Sequence, residues 1–199
     1  MGAAENGDLP GRLAAILRIL ARHSPADHKE ARDIQLIKQL VCKHGDILSP
    51  RCQVGHITAS ALVIDCTSGR VLLHFHRKLR CWLQVGGHME NETDVAQAAL
   101  REAREETGLP DLVFFPPAAG PVDLDVHTIP AQPDMPAHLH LDFRYLMVTR
   151  QPRALAPEQG ESARFRWLSV AEALAMGEAL DSSLRRLLRK AGAILADLA

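Results

Sequence analysis

The sequence predicts an α+β fold with a helical extension at its N-terminus. Three observations carry that reading. The chain opens on helical hydrophobic spacing, it changes near His56 to short β-rich runs, and those runs enclose one acid-rich helical stretch before an amphipathic helix closes the chain. At 199 residues there is room for one domain and an appendage, taking roughly 150 residues per domain. We divide it into a helical extension over residues 1–50 and a main domain over residues 51–199. A hydrophobic content of 47% suffices to bury a sizeable core, and with aromatics at 4% that core is expected to be Leu, Val, Ile and Ala.

Each element has its own signal. From Leu9 to about Leu20, Leu13, Ile16, Leu17 and Leu20 recur at helical spacing. A second helix is expected from Pro25 or Ala26 to about Lys43, with Ile34, Ile37, Leu40 and Val41 on its apolar face and Ser24 as N-cap. The runs "ITASALVID" and "RVLLHFHRK", separated by "CTSG", read as a β-hairpin. After "CWLQVGG" the pattern predicts a Gly-rich loop and then a helix that opens near Thr93 or Asp94 and ends at Gly108 and Pro110. "LVFF", "VDLDVHTIP" and "HLHLDFRYLMVT" are strand-like, with "AQPDMPA" as a Pro-rich connector. A short strand, "ARFRWLS", precedes a helix starting at Ser169, and "DSSLRRLLRKAGAILADL" is a strongly amphipathic terminal helix.

A formal charge of -1, with Lys and Arg spread along the chain, argues against a general nucleic-acid binder or a membrane-surface binder. No apolar run approaches the roughly 20 residues that span a bilayer, and "MGAAENGDLPG" is acidic where a targeting segment would be basic. A cytoplasmic protein is expected. Cys42, Cys52, Cys66 and Cys81 are widely spaced without a CxxC pair, so we expect buried or unreactive thiols and neither a cysteine zinc site nor a disulfide framework.

Chemistry concentrates on the acidic helix. Glu102, Glu105 and Glu106 lie three and four residues apart and project from neighbouring positions on one face. Like charges so placed destabilise a helix unless something neutralises them. A hard cation such as Mg2+ or Mn2+ does so, because it takes carboxylate oxygens and completes its shell with water and phosphate. The simpler explanation is a solvated face, with Arg101 and Arg104 pairing with the acids. Gly86 and Gly87, just before the helix, favour the metal reading, because they let backbone come close to a ligand.

The stretch from Gly87 to Leu109 resembles the signature of the Nudix hydrolases: Gly, five residues, Glu, seven residues, Arg-Glu, an aliphatic residue, any residue, Glu-Glu, any residue, Gly, aliphatic. Anchored on Gly87, the chain supplies Arg101, Glu102, Ala103, Glu105, Glu106, Gly108 and Leu109 in register. The resemblance implies an α/β/α sandwich with a mixed sheet from about residue 51 onward. It also implies Mg2+ or Mn2+ as cofactor and hydrolysis of a nucleoside diphosphate linked to another group. By this carry-over Glu105 and Glu106 are metal ligands, Glu102 is a ligand or the group that orients or deprotonates water, and the Gly86 or Gly87 carbonyl adds a ligand. One position departs: the first Glu of the signature is Thr93, flanked by Glu92 and Asp94. In the family that Glu supports loop and helix, commonly through the signature Arg, so Glu92 or Asp94 is expected to compensate by pairing with Arg101.

Other residues are candidates for substrate contact. In "HLHLD", His138, His140 and Asp142 alternate with leucines and point to one face, where they can contact phosphate, donate to a leaving group, bind a transition metal, or simply satisfy one another. His88, next to the glycines, is a better candidate for touching substrate than His74 and His76, which read as a solvated strand end. Arg77, with Lys78 and Arg80, offers positive charge to phosphates or a solvated loop. Trp82 reads as core, and the resemblance implies a further carboxylate acting as base from the loop before "FRWLS", for which Glu161, ahead of Glu158, is the choice. The partner expected is a small nucleotide-type molecule. A homodimer is a further expectation, because the apolar faces of the helices over residues 9–43 must be covered by the domain or by a second subunit. The rival reading is a Nudix-fold module that senses a nucleotide or nucleotide-sugar without cleaving it.

Overall fold

The structure is a computed structural model that describes residues 9–76, 79–90, 92, 94–117, 120–157 and 164–197. Helix α1 (Leu9–Arg22) turns Ile16 and Leu20 inward, each burial stabilising its docking by roughly 1.5–3 kcal/mol. Helix α2 (His28–Lys43) begins later than its pattern suggested, because Asp27 and not Ser24 caps it: the Asp27 carboxylate accepts the Glu30 N–H at 2.8 Å. An ionised cap also suits the positive end of the helix dipole.

The sheet is built on two long strands, β1 (Gly55–Asp65) and β7 (His138–Thr149), which run parallel in register from Gly55 opposite Leu139 to Asp65 opposite Thr149. Every residue of β1 is buried, as expected for a strand covered on both faces. Its other edge is shared. β4 (Val85–His88) pairs antiparallel with its first half, while β2 (Val71–His76) joins only at Val63 and Ile64. The expected hairpin is therefore present but short. β3 (Cys81–Leu83) and β8 (Phe165–Leu168) extend β2, and β6 (Asp123–Ile129) and β5 (Val113–Phe114) line the far edge of β7.

Alternation along β1 and β7 separates two apolar clusters. One holds Ile57, Ala59, Ala61 and Val63 of β1, Leu141, Phe143, Tyr145 and Met147 of β7, helix α3 (Val95–Thr107), and the inner faces of α1 and α2. The other holds Leu62, Ile64 and Leu146 beneath α4 (Val170–Leu174) and α5 (Ser182–Ala196). The result is the mixed-sheet sandwich with N-terminal helices, and the apolar faces of α1 and α2 are covered by the chain itself.

Local chemistry fixes the ends. Asp94 caps α3 by accepting the Gln97 N–H, and Gly108 ends it in the left-handed region at φ 66°. A Cβ at Gly108 would stand 2.1 Å from the Ala156 carbonyl oxygen. Ser169 and Glu172 form a reciprocal capping box on α4. Trp82 is buried as expected, but Cys42 and Cys66 are exposed: Cys42 lies on α2 and Cys66 at the turn after β1. Among the described residues no helix is long and apolar enough to cross a membrane.

Candidate active site

The two glycines expected in a loop lie instead in β4, where Gly86 pairs with Ser60 and Gly87 with Ala59 of β1. Strand pairing wins because both positions need a bare backbone. A Cβ on Gly86, at φ 151°, would come within 2.4 Å of the Ser60 Cβ, and one on Gly87 would fall 2.5 Å from a Glu102 carboxylate oxygen. The absent side chain of Gly87 thus makes room for Glu102, and α3 lies against the strand.

Glu106, about one turn further along the same helix, is largely buried and accepts the Gly86 N–H at 2.7 Å. His74 Nδ1 stands 3.9 Å from its other oxygen. Burial, with a smaller push from His76, lowers the His74 pKa to about 4, so this is a contact with a neutral ring. His74 is buried, not the solvated strand end expected from sequence, because β2 lies between β8 and its neighbours on the other edge. Glu105 is the most open of the three acids, with 38% of its side chain exposed.

Arg101 joins them. Its guanidinium reaches Glu105 at 2.7 Å, Glu102 at 3.0 Å and the His88 carbonyl at 2.7 Å, and its Nε donates to Glu92. Burial works against the Arg101 charge, but these carboxylates hold it firmly protonated. Glu92 therefore pairs with the Arg across the place where Thr93 departs from the signature, while Asp94 is occupied as the helix cap. Burial raises the Glu92 carboxyl, but the bond and charge of Arg101 together with backbone N–H bonds, that of Glu90 among them, outweigh it and lower it. Burial also raises Glu102, only partly offset by Arg101. The Glu92 carbonyl accepts from Arg12 at 2.6 Å, so α1 braces the same loop.

On the sheet face that carries the "HLHLD" residues, β1, β7 and β6 lay out polar rows. His56, His140 and His127 are register partners, as are Thr58, Asp142 and Asp125, and Ser60, Arg144 and Asp123. His138, His140 and Asp142 share a face as expected, but their chemistry divides. Asp142 accepts from Ser60 at 2.8 Å, Thr58 at 3.2 Å and Arg144 at 2.9 Å, which commits it to the interior. The histidines gather with His56 and His88, whose ring stands 5.0 Å from that of His56 and 5.2 Å from that of His140. Burial, reinforced by neighbouring rings, lowers His56 to about 4 and lowers His88 and His140 as well. His88 is the bridge: its carbonyl binds Arg101 and its ring meets the histidine group.

The structure thus brings Gly86, Gly87, His88, Glu102, Glu105 and Glu106 together. Arg77, Lys78, Thr93, Glu158 and Glu161 lie outside the described residues. Sequence reasoning missed His56, Arg12 and Arg144. His56 opens the β-rich run, and only its parallel pairing with β7 places it opposite His140.

Comparison with known proteins agrees with this geometry. The NUDIX domain model matches residues 55–190. Among solved structures, a NUDIX-family hydrolase from Clostridium perfringens is 28% identical with a TM-score of 0.55, the match covering 72% of this chain and 98% of that one. An Ap4A hydrolase from C. elegans is 20% identical with a TM-score of 0.55, covering 71% and 98%. The E. coli dihydroneopterin triphosphate pyrophosphohydrolase is 18% identical with a TM-score of 0.51, covering 67% and 92%. These last two show likeness of fold. No curated protein matches the sequence. The chain belongs to the Nudix family and is a hydrolase of phosphoric anhydride bonds.

Proposed function

We propose that the protein is a divalent-cation-dependent pyrophosphohydrolase that cleaves a nucleoside diphosphate linked to another group. The observation that carries this reading is the crowding of Glu102 and Glu105 around the guanidinium of Arg101, with Glu106 on the same helix held by the Gly86 N–H, beside a strand stripped of side chains at Gly86 and Gly87. The donors are hard oxygens, which suit Mg2+ or Mn2+. Glu102, Glu105, Glu106 and the Gly87 carbonyl are the groups that would hold it. When bound, such a cation neutralises diphosphate charge, polarises phosphorus and activates water.

The chain's own residues do the positioning. Arg101 fixes Glu102 and Glu105 relative to the His88 carbonyl, and Glu92 fixes Arg101. The Gly86 N–H holds Glu106 in place, so its carboxylate enters the reaction preset. Glu102, packed against Gly87, is the group placed to orient the attacking water or to take its proton. His88, His138 and His140 offer imidazole contacts to the phosphates or the attached group. Arg77 as a phosphate contact and Glu161 as a further catalytic base rest on the sequence reading alone.

The test is product release from a panel of dinucleoside polyphosphates, nucleotide sugars, NAD-like molecules and nucleoside triphosphates, with Mg2+, with Mn2+ and with chelator. Cation-dependent cleavage of one class is expected. Thermal stabilisation by one of these ligands without cleavage would favour the sensing module instead.

A further inference from the structure

We infer that His56, His138 and His140 form a second metal site, separate from the carboxylates of α3, which takes a single imidazole-preferring transition-metal ion such as Zn2+. One ring nitrogen from each of the three comes within 4.8 Å of the others, close enough for bonds of about 2.0–2.1 Å to a common ion after small ring movements.

Two further observations point to a ligand. His56 is 1% exposed, yet neither ring nitrogen has a hydrogen-bond partner among the described residues. The Cys52 backbone exerts a small pull toward protonation but falls outside hydrogen-bond geometry. A buried imidazole left so is costly. His138 is already set as a ligand: its Nδ1 lies 2.8 Å from the Pro136 carbonyl, which can only accept, so Nδ1 carries the proton and Nε2 presents a lone pair. Metal-bound histidines are commonly oriented in this way by a bond from the other nitrogen.

The donor set chooses the ion. Three imidazole nitrogens without a carboxylate suit Zn2+, Cu2+, Ni2+ or Fe2+ and disfavour Mg2+. Asp142, the carboxylate nearest in sequence pattern, is consumed by Ser60, Thr58 and Arg144 and is not the third ligand. That place falls to His56, from a strand 84 positions away from β7 in the chain, as the register pairing of His56 with His140 dictates. Three protein ligands leave a fourth position open, as zinc sites that bind a water or substrate atom do. His88, ring to ring with His56 and His140, borders the cluster.

The test uses the untagged full chain, stripped by chelator and titrated with Zn2+ alone in a millimolar Mg2+ background. One Zn2+ per chain is expected by calorimetry, and Co2+ in its place should give the visible absorption of a low-coordinate nitrogen site. His138→Gln and His140→Asn should each weaken Zn2+ at least about 100-fold, while Glu105→Gln leaves it unchanged. Zn2+ lost in Glu105→Gln but kept in the histidine variants would place the ion on α3 and overturn the site. Should those variants misfold, X-ray absorption of the Zn2+-loaded wild-type chain decides: imidazole scattering supports the site, and an oxygen-only shell, or no binding at all, refutes it.

Discussion

Two regions of this molecule are dense in carboxylates, and they treat the charge in opposite ways. On the sheet face, Asp123, Asp125 and Asp142 meet Arg144, Arg186, Lys29 and Lys190, with Glu30 and Asp33 of α2 joined to the same cations. Acids and bases there are nearly matched, and they arrive from α2, β6, β7 and α5. Around α3, among the described residues, one guanidinium serves Glu92, Glu102 and Glu105, with Glu106 alongside. The first arrangement ties α2 to the sheet and to the last helix. The second leaves negative charge for something else to satisfy. A count of acids along the sequence does not separate the two roles; the number of counter-charges delivered by distant elements does.

The largest effect should come from breaking the matched network. Arg144 is buried and touches three carboxylates. Replacing it by Met leaves them under-compensated, and unfolding free energy measured in urea should fall by about 3–5 kcal/mol. A loss below about 1 kcal/mol would break the comparison.

Acid should act on the same network. Burial would raise the Glu30 carboxyl, but bonds from His23, the Ala26 N–H, Lys190 and the Leu124 N–H hold it well below the usual carboxylate range. Asp125 is likewise held low against burial, chiefly by Arg144. A lowered folded pKa stabilises above the unfolded value and loses that contribution as pH falls beneath it, here from about pH 4 downward. Wild-type unfolding midpoints should drop over that range, and Glu30→Gln should start lower and fall less steeply. Parallel curves would show that Glu30 is not held as described.

Smaller effects distinguish the two acids flanking Thr93. Glu92→Gln should lower turnover by roughly 10–100-fold, as loss of an outer partner of a metal site does, and Glu92→Asp should recover part of it. Asp94→Asn should leave turnover unchanged and stability within a few tenths of a kcal/mol, since Asn caps about as well as Asp. Equal effects from both would remove the special standing of the Glu92–Arg101 pair.

Much of this was legible in the sequence. Helical spacing located α1, α2, α3 and α5, and the order of glycines and glutamates in one contiguous stretch pointed to the family and to α3. Contiguity is why: Glu102, Glu105 and Glu106 owe their proximity to a single helix, which any local reading captures. The histidine group and the charge network depend on pairings between residues far apart. His56 meets His140 only because β1 and β7 are parallel, and Arg144 meets Asp123 only because β6 folds back on β7. Nothing in the local pattern of either strand announces its partner. The glycines of β4 show the same limit, since their need for space comes from Ser60 and Glu102 and not from a turn.

The most direct test of the contrast is Glu105→Gln, with cation-dependent turnover and unfolding free energy measured on the same preparation. If the acids of α3 are held for a cation, turnover should fall at least about 100-fold while stability changes by no more than about 0.5 kcal/mol. Unchanged turnover, or a collapse of stability like that expected for Arg144→Met, would contradict the assignment of this cluster to catalysis.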